Sequence, residues 1–474
     1  MSEGKAGETS FHLIGVGGAG MSVVAQLLAA QGARVTGSDR QDSDFLSALR
    51  AQGLDVYYPH GASDFDPAAT VVVSSAIRQD NIELMLARSR GQRVIHRSEA
   101  LALAATGQRM VAVAGAHGKT TTSAMLATAL LSSGLDASFA IGGDVLGIGT
   151  GARSGRDVFV AEADESDGSF LNYAPYLALV TNIEADHLDT HGSADALFHV
   201  FQEFTQRIVA GGTLICCGED PGSARLAADA IRQSDKRFSV LTYGRPSHCA
   251  FPPDVELLDV AASVDGVTAR VSYGGIFQEL KLGVTGVHNA LNAAGAWATC
   301  VQLGVDPAVA AHGLGEFKGA GRRFEIKGTI NDRTVIIDYA HHPTEVAAAL
   351  KQARLLAGQG RVIVVFQPHL YSRTRSFADR FAAELACADR VVLADIYAAR
   401  EDPMPGVTSE LISAEASDDS AFVNGGGAEE AARIGASLTR AGDILVLMGA
   451  GDIYLEAANV LRQWEGAEDS QVHS

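Results

Sequence analysis

Gly115-Ala116-His117-Gly118-Lys119-Thr120-Thr121 sets two glycines, a lysine and two hydroxyls in one short stretch, a spacing suited to a phosphate chain. Glycines let backbone N–H groups turn inward at a helix start, where those donors and the helix dipole favour an anion. Lys119 would reach the β and γ phosphates, and the Thr120 hydroxyl a magnesium ion. Val113 stands where the longer GxxxxGK[ST] pattern has its first glycine, which leaves the shorter GxxGKTT. Such a turn can also do no more than pack a helix on a sheet. The apolar run before it and the Lys-Thr pair within it point to ATP.

Other residue types could add to that chemistry. Glu162 ends an apolar run and opens the acidic stretch Glu162-Ala163-Asp164-Glu165-Ser166-Asp167. An acid beside a phosphate loop can hold magnesium, which keeps oxygen ligands, although a run of acids can equally be a solvated loop. His187 and His191 lie four apart, but no HExxH and no third clustered ligand accompany them, so zinc is disfavoured. Asn289 and Asn292 share one helix face; they suit an adenine edge or a phosphate, and would serve as well in capping. Gly15, Gly17 and Gly20 match GxGxxG, and Asp39 ends the following strand. Alone, that pattern suggests an NAD-dependent dehydrogenase, yet any nucleotide diphosphate could approach such a backbone. Ser74 and Ser75 put two hydroxyls at another strand end.

Strand–turn–helix units must position these groups. Met110 to Ala114 reads as a strand and Met125, Leu126, Ala129 and Leu130 continue in helical spacing. The stretch from Phe11 to Asp39 repeats the plan, with a helix expected from Met21 to about Ala30. Strands are expected at 157–161 and 177–181, a small β extension at 239–285, and alternating strands and helices beyond the glycine-rich basic hinge Phe317 to Glu325. The fold class expected is α/β with three domains: a Rossmann-like domain at 1–106, a central phosphate-loop ATPase domain with its β extension at 107–318, and a doubly wound domain at 319–474. Strand ends in the last one carry Asp338, His341, His342, Gln367, His369 and Arg373, all in site positions.

A formal net charge of −19 over 474 residues argues against a nucleic-acid or anionic membrane partner. Five scattered cysteines without CxxC spacing read as small buried hydrophobes in a reducing compartment. With no long apolar run and a polar start, the expectation is a cytoplasmic protein.

Taken together, GVGGAGMS, GAHGKTTT, EADESDGSF, TNIEADHLD, GVHNALN, GRRFE, DYAHHP, FQPHLYSRT and GAGDI resemble the Mur ligase family over nearly the whole chain. The resemblance is strongest to the branch that adds L-alanine to UDP-N-acetylmuramate in peptidoglycan precursor synthesis. It implies ATP and Mg2+ as cofactors, UDP-N-acetylmuramate and L-alanine as partners, and a monomer or homodimer. Carried onto this sequence, it gives ATP to Gly115 through Thr121, Asn289, Asn292, Arg323 and Asp338. It gives Mg2+ to Thr120, Glu162 and His187. It assigns the UDP-sugar to Gly17, Gly18, Ala19, Gly20, Met21, Ser22, Asp39, Ser74 and Ser75. His341 and Arg373 would join Lys119, Glu162 and His187 as catalytic residues, facing the carboxylate end of substrate or product. Domain closure at Gly319 to Arg322 is expected. Two positions depart from the pattern: Phe201 stands where several members carry a lysine modified to a carbamate, and Leu370 where many carry arginine.

Overall fold

Apolar runs rich in valine, isoleucine and leucine, closed by glycine or by a polar residue, become short parallel strands buried on both faces. A computed structural model describes residues 9–61, 65–184, 193–233, 237–399 and 401–469. Three sheets result. The first holds β1 (Ser10–Ile14), β2 (Arg34–Ser38), β3 (Asp55–Tyr57), β4 (Thr70–Val73) and β5 (Val94–His96) in the order β3-β2-β1-β4-β5, all parallel. The strand order reverses between β1 and β4, and the glycine turn after β1 sits at that switch point. The helix that follows, Ala19–Ala30, begins earlier than the sequence suggests and buries Met21, Val24, Ala25, Leu27 and Leu28.

A buried polar network crosses this first sheet. Glu83 accepts from Tyr57 Oη at 2.9 Å and Gly61 N at 3.0 Å, and also from the Ser38 hydroxyl; His12 Nε2 lies 3.3 Å from it. Burial opposes the Glu83 charge, but the His12 and Ser38 hydrogen bonds hold its pKa below the usual glutamate value.

The second sheet runs β15-β14-β13-β12-β11-β10-β6-β9-β7-β8. Its strands are β6 (Arg109–Ala114), β7 (Ala137–Val145), β8 (Thr150–Arg153), β9 (Val158–Ala163), β10 (Leu177–Val180), β11 (Thr213–Cys217), β12 (Ser239–Gly244), β13 (Val255–Ser263), β14 (Gly266–Tyr273) and β15 (Ile276–Leu282). Ser239–Gly244, assigned to the β extension by composition, is a parallel strand of the main sheet beside β11. The extension proper is β13 to β15, which lengthens the same sheet at one edge.

The third sheet runs β16-β17-β21-β18-β19-β20, built from β16 (Glu325–Ile330), β17 (Arg333–Asp338), β18 (Val362–Phe366), β19 (Arg390–Ala394), β20 (Phe422–Gly426) and β21 (Ile444–Met448). Only β16 is antiparallel to its neighbour. Helices Pro343–Ala357 and Tyr371–Leu385 cover one face through Leu350 and Phe381; Ala428–Leu438 and the helix from Ala457 cover the other through Ala432 and Trp464. Each large buried side chain contributes about 1.5–3 kcal/mol. At the amino ends of β18 and β21, Arg361 grips Asp443 through Nε at 3.1 Å and Nη2 at 2.5 Å.

The described chain forms two compact units: one carries the first sheet and nearly all of the second, the other the third sheet together with Ala262–Val267 and Val284–His288, and the last change of unit falls between Lys318 and Gly319. Among the cysteines, Cys216, Cys217 and Cys300 are buried as expected, whereas Cys249 is half-buried and Cys387 exposed.

Candidate active site

The phosphate-type loop leaves β6 at the carboxyl edge of its sheet. Gly115 and Gly118 take φ of +132° and +82°, values a side chain disfavours, and Gly118 caps the helix Lys119–Ser132 with no side-chain hydrogen bond. A Cβ on Gly115 would run into the Thr181 hydroxyl. The end of β10 shapes the loop: Thr181 Oγ1 donates to His117 O at 2.6 Å, Asn182 Nδ2 to the same oxygen at 2.8 Å, and His117 N to Asn182 Oδ1 at 2.9 Å. Sequence reasoning did not single out Thr181 and Asn182; their position straight after a strand neighbouring β6 was the available signal.

Lys119 folds over this loop. Its Nζ donates to Gly115 O at 2.6 Å and to Glu165 Oε2 at 2.9 Å. Burial works against its charge, but Glu165, Asp164 and Glu162 hold its pKa above the ordinary lysine value. Burial lifts Glu165 to about 7, with Asp164 adding to the rise and Lys119 opposing it. Burial likewise opposes the Asp164 charge, yet Lys119 and Arg97 bring that group down to about 2. The result is a lysine kept charged inside a carboxylate cluster.

Glu162 pairs in register with Val113 across β9 and β6, which puts it at the sheet edge from which the loop departs. Its Oε2 accepts from Gly142 N at 3.1 Å, and a Cβ on Gly142 would come within 2.7 Å of that oxygen. The Thr120 hydroxyl and the carboxylates of this loop are hard oxygen donors, the set magnesium takes, so the residues present suit Mg2+. His187, the third expected ligand, lies outside the described residues.

Asn289 and Asn292 share the helix Val287–Gln302, their amides 3.5 Å apart. Asn292 comes up against Gly118, so this helix supports the loop. The structure therefore gathers Gly115 to Thr121, Glu162, Asn289 and Asn292.

At the other glycine turn, Gly17 N donates to Asp39 Oδ2 at 2.8 Å, which makes Asp39 a brace of the turn. Gly18 caps the helix; Met21 is buried and the Ser22 hydroxyl donates to Ala19 O, so both side chains face inward. Ser74 follows β4, and Ser75 Oγ donates to Asp167 Oδ2 at 2.9 Å. Arg97 packs on Gly20 and donates to Asp164 Oδ2 at 3.2 Å.

The second unit holds its own cluster at the carboxyl ends of β17, β18 and β21. Asp338 accepts from Phe324 N and Ala340 N at 2.8 and 2.7 Å. Burial raises its pKa to about 6, against the pull of Arg323. Arg323 Nη1 lies 3.4 Å from Glu345, its guanidinium over Tyr339, and Glu345 accepts from His341 N at 3.1 Å. The rings of His341 and His369 are 6.0 Å apart, and Arg373 Nη1 is 3.4 Å from His369 Nδ1. Asp338, Arg323, His341 and Arg373 thus belong to one polar group, joined by Glu345 and His369. Leu370 is buried at φ +71°, accepting from Thr374 Oγ1 at 2.8 Å.

Family models match in three consecutive pieces: "Mur ligase family, catalytic domain" at 10–109, "Mur ligase middle domain" at 113–300 and "Mur ligase, glutamate ligase domain" at 322–451. This chain is a Mur ligase. The Mur ligase chain is 48% identical over 460 residues to the UDP-N-acetylmuramate–L-alanine ligase of Kineococcus radiotolerans, covering 95% of each. It is 48% identical to the protein of that name from Paenarthrobacter aurescens, covering 93% of this chain and 94% of the relative. Among solved structures, UDP-N-acetylmuramate-alanine ligase MurC from Thermotoga maritima superposes with a TM-score of 0.80 at 27% identity, covering 97% of this Mur ligase and 100% of that chain. A murein peptide ligase from Psychrobacter arcticus superposes at 0.70 and 25% identity, covering 96% and 98%. In this Mur ligase Phe201 is fully buried, edge-on to Phe170 at 5.4 Å.

Proposed function

We propose that this Mur ligase joins L-alanine to the lactyl carboxylate of UDP-N-acetylmuramate, with ATP converted to ADP and phosphate, in peptidoglycan precursor synthesis. The observation that carries the reading is the 48% identity to a UDP-N-acetylmuramate–L-alanine ligase across 95% of both chains. A carboxylate oxygen attacks the γ-phosphorus and ADP leaves. The alanine amine then attacks the acyl carbon, phosphate departs, and the amine gives up its proton as the amide forms.

We assign 1–106 to the UDP-sugar, 107–318 to ATP and 319–474 to the amino acid. Lys119 offsets charge on the transferring phosphoryl group, and the backbone donors of Gly115 to Thr121 cradle the chain behind it. Thr120, Glu162 and His187 would hold Mg2+, which when bound supplies charge to offset the phosphates. We assign Asn289 and Asn292 to the adenine side, and Arg323 and Asp338 to the nucleotide. The first glycine turn, Gly17 to Ser22, with Asp39, Ser74 and Ser75, takes the UDP-sugar; His341 and Arg373 take the carboxylate end. Much of the rate comes from holding amine and acyl phosphate in reach. We place the reaction in the cytoplasm, by a monomer or homodimer; no helix among the described residues is long and apolar enough to cross a membrane.

The test is phosphate release with ATP, Mg2+ and UDP-N-acetylmuramate, run in parallel with L-alanine, glycine, L-serine and the murein tripeptide. Release that requires L-alanine supports the reading. Release with the tripeptide alone would reassign the enzyme to peptide recycling, and no release with any acceptor would overturn it.

A further inference from the structure

One guanidinium stands between the two glycine turns of the first compact unit. Arg97 opens the helix Arg97–Ala104, whose cap His96 forms a capping box with Glu99 and so fixes where that helix starts. Arg97 Nη1 fills the space that a Cβ on Gly20 would need. Its Nη2 donates to Asp164 Oδ2 at 3.2 Å, and the two side chains keep 29% and 39% of their surface exposed. Asp164 lies in the loop after β9, and the next residue, Glu165, holds Lys119 Nζ. The loop is tied a second time at Asp167, to Ser75 at 2.9 Å and to His96 at 3.7 Å. A continuous series of contacts therefore runs from Gly20 through Arg97, Asp164 and Glu165 to Lys119.

We infer that Arg97 is a positioning residue that couples the two anion sites, releasing the loop of Asp164 and Glu165 when a diphosphate reaches the turn at Gly17 to Gly20. The inference rests on the reading of that turn as the UDP-sugar site and of the Lys119 loop as the ATP site. A guanidinium beside a glycine turn is a ready partner for phosphate oxygens, which compete with Asp164 for the same fork of donors. Once Arg97 turns to the diphosphate, the tether on Asp164 slackens. Glu165 then yields Lys119 to the triphosphate more easily. By linkage the effect runs both ways, so each ligand tightens the other by the same factor.

Titration calorimetry of the full chain with a non-hydrolysable ATP analogue and Mg2+, with and without saturating UDP-N-acetylmuramate, reads the coupling directly. For the unaltered protein the analogue binds more tightly by about 5-fold or more when the sugar nucleotide is present, the lower range of typical coupling. Arg97→Gln and Asp164→Asn both remove the ion pair that makes the tether. In each the analogue binds tightly without the sugar nucleotide and the ratio falls to about one. The two variants part on the other ligand: UDP-N-acetylmuramate binds more weakly to Arg97→Gln and at least as tightly to Asp164→Asn, whose guanidinium is freed. Arg97→Lys keeps the charge without the fork and restores the ratio in part. A merely structural role would weaken both ligands in both variants, and that result overturns the inference, as does a wild-type ratio surviving in either variant. If UDP-N-acetylmuramate binds the unaltered protein without changing analogue affinity, the coupling alone falls. If it does not bind at all, the functional reading falls too.

Discussion

The Asn292 amide oxygen stands 2.9 Å from the point where a Cβ on Gly118 would lie. A helix that begins far along the chain thereby packs against the glycine loop at the start of the helix Lys119–Ser132.

Gly118→Ala should accordingly be harmful twice over. The residue sits at φ +82°, where a side chain costs about 1 kcal/mol or more, and the new methyl would meet Asn292. We expect weaker binding of the ATP analogue by at least about tenfold, the equivalent of about 1.4 kcal/mol. Calorimetry checks this, and unchanged affinity would remove the loop from the ATP site.

Lys119→Ala should abolish ADP formation while leaving the fold intact. The loop keeps its bonds from Thr181 and Asn182, and Glu165 can take up a proton in place of its lost cation. Circular dichroism with a coupled ADP assay separates the two effects. Wild-type turnover would refute the role given to this lysine.

Asp338 makes a pH signature. Its folded pKa, about 6, lies above the ordinary aspartate value of 3.8, so between these limits the folded state holds a proton that the unfolded chain releases. The stability linked to this carboxyl is full below the lower limit and is lost as pH rises through the upper one. The melting temperature of Asp338→Asn, compared with the parent from pH 4 to 7, should show a difference that changes most across that window. A constant offset would mean that Asp338 titrates normally.

Phe201→Ala should cost about 3–5 kcal/mol, as for other buried aromatic truncations. The ring is fully buried between Phe170 and the rest of the core, and Phe170 also stacks on Phe204 at 4.5 Å. Phe201→Lys should unfold the protein, since it places a charge where aromatic rings meet. Denaturant melts measure both; a well-folded lysine variant would show that this pocket can open to water.

The strand, glycine turn and helix around Lys119 are legible because their signals are local: an apolar run, two glycines and a Lys-Thr pair fall in one short stretch. Glu162 was legible as a strand-end acid, and the three α/β sheets followed from alternating apolar runs. Glu165 was not picked out from its acidic stretch, because GxxGKTT says what a lysine can offer a phosphate and not which carboxylate folds back onto it. His12 and Glu83 were missed since each reads as one polar residue in an otherwise apolar run; only the packed sheet brings them together. Composition marked 239–285 as β-rich but could not say that Ser239–Gly244 would join the parallel sheet, a matter of register with β11. Arg97 reads as an ordinary helix opening until Gly20 and Asp164 are placed around it.

Arg361 and Asp443 lie at the amino edge of the third sheet, while Asp338 ends β17 and Gln367 and Gly449 follow β18 and β21 at the opposite edge. An ion pair that ties two strands together and the polar cluster proposed to meet the substrate therefore lie at opposite ends of the same strands. A library aimed at new acceptors can therefore vary carboxyl-edge positions other than Asp338, His341 and Arg373 without touching the Arg361–Asp443 pair at the opposite end.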